Sequence, residues 1–513
     1  MEVIKKGYTN ISYKDGNLFK QEKILNGFNH NVSYQVLNEL DFVPKFIENN
    51  DKFVVWEYVK HSKFQITKAS LSKIAQNLLK LHQSNLIFQE NFMLKRLEFF
   101  VQEIKKLNRW TDVLEKSWGQ VKKIFQTDNN EQVPIHNDLY FSNILMEGEK
   151  LWFVDWEYAS LGNKFYDLAL FVCATDLDKF SEKTFLSEYG VRDFYSYYQQ
   201  KLVAYFFILT WALAKKEIPI NDKFFAKKLE LWSQFILKLD QLRDKNYSKI
   251  IFVDLDGTTL DYYNGYRSAA SEQIKLFFND LEQKNILIVP ATGRGDSHIT
   301  REIMSELDRD NYILSNGAEI FIGNEQIFSS VINKEILISL LKIVKNSNCL
   351  SLLKIDNDEV LYFENEEISQ DLKFFENTSR MNLEEIQKQN VYQVLIWNKD
   401  IQVINKLLKK LKNDFSDVLN IHSSGSKDDF IEITNLDTSK GAAEIIFANL
   451  LNVDLKNTYH IGDSLNDASP KNKVNKLIAM ANSSPKLLEI ADIKAEFDNK
   501  NSGIINVIKK YCF

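Results

Sequence analysis

Lys249-Ile250-Ile251-Phe252-Val253-Asp254-Leu255-Asp256-Gly257-Thr258 is the stretch that decides the fold. After Lys249 its first residues are wholly apolar, as in a central parallel strand buried on both faces. Two carboxylates follow at the strand's carboxyl end, where open α/β sheets bind their ligands. Working outward, Ile286-Leu287-Ile288-Val289, a helical pattern from Asp296 to Leu307, and Tyr312-Ile313-Leu314 alternate strand with helix. That alternation predicts a doubly wound, Rossmann-like parallel sheet. Residues 327–421 interrupt it with strands and helices of their own, which predicts an inserted α/β cap over about 331–422. The core is expected to resume at Phe430-Ile431-Glu432-Ile433 and run to the end.

The same stretch carries chemistry. One carboxylate of the Asp254-x-Asp256 pair can attack phosphorus and the other can protonate a leaving alcohol. Two adjacent acids repel each other and an anionic substrate, so a divalent cation and a lysine are expected nearby. Candidates follow in order along the chain. Thr292 and Gly293, in Ala291-Thr292-Gly293-Arg294, sit after the second strand and can hold phosphate. Lys440, in Thr438-Ser439-Lys440-Gly441, opens a helix and can neutralise it. Asp463 and Asp467, in Gly462-Asp463-Ser464-Leu465-Asn466-Asp467, follow another strand and can hold Mg²⁺ with Asp254. These residues resemble the haloacid dehalogenase superfamily, specifically its Cof-like phosphatases, over about residues 248–513. The resemblance implies Asp254 as nucleophile, Asp256 as acid/base within the metal-binding pair, and Asn466 as a support of the metal loop.

The first half reads differently. Asp15-Gly16-Asn17 lies in a predicted hairpin over Ser12–Lys23, and Phe53-Val54-Val55-Trp56 is a predicted strand. From Thr67 the apolar residues Leu71, Ile74, Leu78 and Leu81 recur at helical spacing. Two short strands then flank His136-Asn137-Asp138-Leu139-Tyr140-Phe141-Ser142-Asn143, and the second runs into Val154-Asp155-Trp156-Glu157-Tyr158. Moving a γ-phosphoryl group needs a base near the acceptor hydroxyl and a metal that neutralises phosphate oxygens. Asp138 is placed to be that base. Asn143 can give Mg²⁺ a neutral oxygen and Asp155 an anionic one. Helical periodicity returns from Phe165 to Leu242, and the charged stretch Asp240–Asn246 marks the boundary between a 1–245 domain and a 246–513 domain.

These motifs resemble the choline kinase and aminoglycoside phosphotransferase group, whose fold is protein-kinase-like: a small N-lobe, here about 1–60, and a helical C-lobe. Asp155-Trp156-Glu157-Tyr158 with Asp167-Leu168-Ala169 looks most like the choline and ethanolamine kinases. The resemblance implies ATP as donor, Mg²⁺ in both domains, Asp167 as the residue that orients the catalytic loop, and Glu157 beside the metal or the substrate cation. Gly7-Tyr8-Thr9-Asn10 looks like the family's phosphate-covering loop, with one glycine only, so Thr9 and Asn10 are nucleotide-binding candidates. The basic residue on the nucleotide phosphates is Lys20 or Lys23. A quaternary ammonium is held by aromatic faces, and the ring-rich segment Phe194–Trp211 offers Trp211 as a candidate. Most of those rings are expected to be core.

Composition bounds the rest. A net charge of −6 gives no basic surplus for nucleic acid or anionic membrane. Cys173, Cys349 and Cys512 are widely spaced without CxxC pairing, which fits a reducing cytosol. The first seven residues lack the apolar core of a signal peptide. The apolar run Leu202–Ala214 is short of the ~20 residues that span a bilayer and reads as a buried helix. The expectation is a cytoplasmic, Mg²⁺-dependent bifunctional enzyme acting on small molecules: a kinase for choline or ethanolamine and a phosphate-ester hydrolase. The rivals are a kinase for another small alcohol such as an aminoglycoside, and a catalytically silent kinase-like module regulating the phosphatase.

Overall fold

Among the described residues the strands build one wholly parallel sheet and several that are antiparallel or mixed. The computed structural model describes residues 2–6, 10–362, 378–424 and 429–513. Thr9 lies outside the described residues. The chain divides into two units, Met1–Leu237 and Lys238–Phe513, and the division falls inside the helix Asp222–Asp244.

The first unit opens with an antiparallel five-stranded sheet. Its order is Glu2–Lys6, Ile11–Asp15, Leu18–Glu22, Phe53–Glu57, Phe46–Asn49. The hairpin expected around Gly16 is present, and Gly16 sits at φ +61, a left-handed turn conformation that glycine adopts without strain. Helices Lys68–His82, Met93–Lys106 and Asp112–Thr127 follow. The first two expose one face and bury the other, as in Leu71, Ile74, Leu78 and Leu81. Thr67 caps the first of them and accepts from the Ser70 amide in a capping box. Phe194–Leu213 is different: most of its side chains are buried all round, so it is the central helix of this unit. No helix of the described residues is long and apolar enough to cross a membrane.

The second unit is built on a parallel sheet in the order Ile286–Pro290, Lys249–Val253, Thr458–Gly462, Lys476–Ala479, Ile493–Lys494. Ile250 to Val253 are wholly buried, which is why that strand reads as an unbroken apolar run. A six-stranded sheet forms the cap, in the order Ser379–Arg380, Asp358–Leu361, Leu350–Ile355, Val391–Trp397, Phe430–Asn435, Leu419–Ser424, antiparallel except for the parallel pairing of its first two strands. The strand Phe430–Asn435 thus belongs to the cap sheet, paired with Val391–Trp397 and Leu419–Ser424, and does not return the chain to the core as its sequence suggested. The reason is visible in its burial. Ile431 and Ile433 are buried while Phe430 and Glu432 are only partly so, the alternation of a strand with one buried face. The chain re-enters the core at the helix Lys440–Leu450.

Candidate active sites

In the first unit Asp138 follows the strand Gln132–Ile135 by three residues, at the head of the loop that ends in Asn143. Asp167, fully buried in the helix Lys164–Thr175, fixes that loop from behind. Its Oδ2 accepts the His136 amide and its Oδ1 the Asn137 amide, each at 2.7 Å. Asn137 is held at φ 65, an uncommon conformation for a residue with a Cβ, so the clamp keeps a turn that costs energy on its own. His82 lies 3.2 Å from Asp167 Oδ2 and 2.8 Å from the Tyr189 hydroxyl, and so orders the clamp in turn.

Asn143 donates from Nδ2 to the Asp138 carbonyl at 2.8 Å, which leaves its side-chain oxygen facing away from that bond. Asp155 sits at φ 68 at the end of the strand Lys150–Phe153, and its Oδ1 accepts Gln21 Nε2 at 2.6 Å. Burial pushes the Asp138 carboxyl well above the usual range. The Arg96 guanidinium opposes this, and Asp155, Glu157 and Asp167 add to it. Asp138, Asp155, Glu157 and Asp167 therefore form one acidic neighbourhood, as a site for Mg²⁺ and an acceptor hydroxyl requires.

Glu157 is 2% exposed. Its Oε2 accepts Asn29 Nδ2 at 2.7 Å and lies 3.1 Å from His30 Nε2. Asn10 is buried, and its Oδ1 accepts the Ile24 amide at 3.2 Å and faces His30 Nε2. Of the two lysine candidates, Lys20 Nζ lies 2.5 Å from Asp15 Oδ2, and Lys23 Nζ donates to the Asn50 carbonyl at 2.6 Å. Trp211 is partly buried, and Lys215 Nζ stands 5.6 Å from its ring centroid. Tyr197, Tyr198, Tyr205 and Phe206 are buried core, as their helical run suggested. Sequence reasoning passed over Gln21, Asn29, His30 and Arg96. None stands in a motif, and each reaches the site only through the fold.

In the second unit Asp254 directly follows the strand Lys249–Val253 and Lys440 opens a helix 186 residues later. Lys440 Nζ lies 2.6 Å from Asp254 Oδ1 and 2.5 Å from Asp467 Oδ1, with no exposure to solvent. Oxygens of Asp254, Asp463 and Asp467 all lie within 4.8 Å of one another, a spacing that fits a divalent cation. Burial, with repulsion from neighbouring carboxylates (Asp467 and Asp256 for the first, Asp254 and Asp467 for the second), raises Asp254 to about 7 and Asp463 to about 8. Asp467 is held low by Lys440 and His460 against its own burial. Its Oδ2 accepts the Asp463 and Ser464 amides at 3.0 Å each, and its Oδ1 is taken by Lys440 and His460. Asp254 and Asp463 are thus the carboxylates with oxygens to spare. Gly257, at φ +78, lies so close to the Asp463 carboxylate that a Cβ there would collide with it.

Asp256 is gripped by Arg294, whose Nε and Nη2 each donate at 2.7 Å to one of its two oxygens. Thr292 and Gly293 stand beside Asn316 and Asn466: the Thr292 carbonyl accepts the Asn316 amide at 3.1 Å, and Asn466 Nδ2 donates to Asn316 Oδ1 at 3.1 Å. Ser464 Oγ donates to Asn466 Oδ1 at 2.6 Å and steadies it. Arg294 was legible beside Thr292-Gly293 and was not singled out. His460 and its buried partner Glu444, 2.6 Å apart, carried no sequence signal.

Two family descriptions match this chain: haloacid dehalogenase-like hydrolase over residues 251–508, and choline/ethanolamine kinase over residues 18–201. A LicA homolog of Mycoplasma capricolum subsp. capricolum is 34% identical over 226 residues, 44% of this chain and 94% of that protein. A putative phosphatase of Buchnera aphidicola subsp. Acyrthosiphon pisum is 27% identical over 268 residues, 51% of this chain and 96% of that protein. A solved haloacid dehalogenase-like hydrolase from B. subtilis is 21% identical with a TM-score of 0.45, covering 51% of this chain and 99% of that one.

Proposed function

The chain belongs to the choline/ethanolamine kinase family in its N-terminal half and to the haloacid dehalogenase-like hydrolase family in its C-terminal half, and from that premise we propose a cytoplasmic bifunctional phosphoryl-transfer enzyme. The first unit phosphorylates choline or ethanolamine from ATP, and the second hydrolyses a phosphate ester. The observation that carries the reading is convergence. Motifs scattered along each half meet at one largely buried acidic centre, Asp138 with Asp155 and Asp167 in the first unit, and Asp254 with Lys440, Asp463 and Asp467 in the second.

In the kinase unit Asp138 accepts the proton of the acceptor hydroxyl as the oxygen attacks the γ-phosphorus. Its raised pKa suits a group that must hold that proton. Asn143 and Asp155 would hold Mg²⁺, which would neutralise charge on the phosphate oxygens. Asp167 keeps the loop in register through the His136 and Asn137 amides.

In the phosphatase unit a carboxylate oxygen of Asp254 attacks phosphorus and forms an aspartyl-phosphate as the P–O bond to the alcohol breaks. Asp256, positioned by Arg294, acts as the acid once one of its oxygens has left that pair and taken up a proton; it passes that proton to the departing alkoxide and takes one back from the water that hydrolyses the acyl phosphate. Lys440 holds Asp254 in place and balances its charge. Asp254 and Asp463 would hold Mg²⁺, with Asp467 behind them keeping the loop amides aligned. Thr292 and Gly293 would face the phosphate.

One panel tests both halves: small alcohols with Mg·ATP, and phosphate esters without nucleotide, each with the whole chain. Turnover of choline or ethanolamine and of at least one ester is expected. No phosphorylated alcohol in any reaction would remove the kinase assignment, and no released phosphate the phosphatase assignment.

A further inference from the structure

Arg96 is 5% exposed, on the helix Met93–Lys106, and yet its Nη1 has no hydrogen-bond partner among the described residues. Burying a guanidinium N–H without an acceptor is costly. What holds the group is a set of rings. Its central carbon lies 3.7 Å from the Tyr158 centroid, 4.7 Å from Phe207 and 5.8 Å from Phe100. Tyr158 is three residues from Asp155 and one from Glu157. Burial raises the pKa of Asp138, Tyr158 and Tyr166, and in each case the positive charge of Arg96 opposes that rise. A concavity beside it is bounded by Phe28, Phe92, Asn137, Glu157 and Tyr158 as well as Arg96 itself.

A choline head needs what Arg96 already has: aromatic faces and a nearby negative field. It does not need what Arg96 lacks, because a trimethylammonium has no N–H to satisfy. The exchange of one cation for the other on these rings would therefore relieve an unmade hydrogen bond. The flexible stem of an arginine lets its head group move to water while the methylenes stay against apolar surface. The neighbouring ring repeats the pattern, since Trp211 carries Lys215, whose pKa is lowered by burial and by Arg96 and raised by Glu157.

We infer that Arg96 is a specificity-determining residue of the kinase site: its guanidinium occupies the aromatic cation seat on Tyr158 and Phe207, and the acceptor's ammonium binds by displacing it. This rests on the amino-alcohol reading above. Arg96 thus sets how tightly the acceptor binds, and favours quaternary heads, which need no hydrogen bonds, over primary ones.

The test uses the full chain. Arg96→Met keeps the length of the stem and removes the charge. Its KM for choline should fall roughly 2- to 30-fold, the range of one cation–π contact, with the KM for ATP unchanged. Arg96→Lys, which restores a cation, should return the choline KM towards the parental value. A second measurement needs no apolar variant. In arginine-¹⁵N-labelled protein the Nε–H signal absent from Arg96→Lys is that of Arg96, and ring currents from Tyr158 and Phe207 should shift it. Saturating choline with Mg·ADP should move it to the position of a solvated arginine. A choline KM unchanged or raised in Arg96→Met, or a signal that stays in place at saturation, overturns the inference while leaving the amino-alcohol assignment intact. Absence of amino-alcohol turnover in the parent overturns that assignment and this inference together.

Discussion

Asp167→Ala removes the clamp behind the kinase loop, and the structure sets the size of the effect. The carboxylate is fully buried, so water cannot take its place. Two backbone N–H groups, of His136 and Asn137, lose acceptors at 2.7 Å, and His82 loses a partner at 3.2 Å. A buried donor left unsatisfied costs about 1–3 kcal/mol, so the two amides alone give about 2–6 kcal/mol. Asp167→Asn keeps one acceptor oxygen and should lose about half as much. Seven of the eight tryptophans lie in the first unit, so fluorescence-detected urea unfolding follows that unit almost alone. Kinase turnover should fall at least 100-fold in Asp167→Ala, because Asn137, held at φ 65, is the residue next to Asp138, the proposed base. Ester hydrolysis should stay at the parental rate. A destabilisation below about 1 kcal/mol, or kinase turnover within a few-fold of the parent, would refute the clamp.

Other perturbations test other parts. Burial lowers His136 to about 4 from its ordinary 6.5, so the unfolded chain binds its proton first as pH falls. Its contribution is full above about pH 6.5 and is lost towards pH 4, about 3 kcal/mol in all; unfolding free energies of parent and His136→Gln that run parallel across that range would remove it. Lys440→Met should abolish ester hydrolysis and destabilise the second unit by about 3–5 kcal/mol, the cost of stripping one partner from a buried ion cluster; calorimetry showing an unshifted transition would contradict this. Arg294→Met frees the Asp256 carboxylate, and should slow esters with poor leaving groups more than aryl phosphates; an equal loss for both classes would tell against that role.

The parts legible in the sequence were those whose chemistry is local. A buried strand ending in Asp254-x-Asp256, or His136-x-Asp138 with Asn143 five residues on, puts its groups in one place by chain geometry alone. The parallel core was legible for the same reason, since Lys249–Val253 and Ile286–Pro290 are almost unbroken apolar runs. Phe430–Asn435 was misplaced because its one mark, Glu432 between Ile431 and Ile433, shows a strand with one buried face and not which sheet it joins; its pairing with Val391–Trp397 decides that. Arg96, His30 and Gln21 were invisible because their partners are 62, 127 and 134 residues away by sequence number, at Tyr158, Glu157 and Asp155. An isolated arginine in an amphipathic helix has the pattern of a solvated face, and burial among three rings is a tertiary fact.

Two phosphoryl-transfer sites with separate machinery on one polypeptide should be separable by single substitutions. Asp138→Asn and Asp254→Asn, each assayed for both activities in the same preparations, show whether they are. Asp138→Asn should lose ATP-dependent phosphorylation of the amino alcohol, by about 10²- to 10⁴-fold, and keep ester hydrolysis. Asp254→Asn should do the reverse. A single substitution that abolishes both activities, or a phosphorylated protein trapped from ester substrate that maps to a residue other than Asp254, would contradict this.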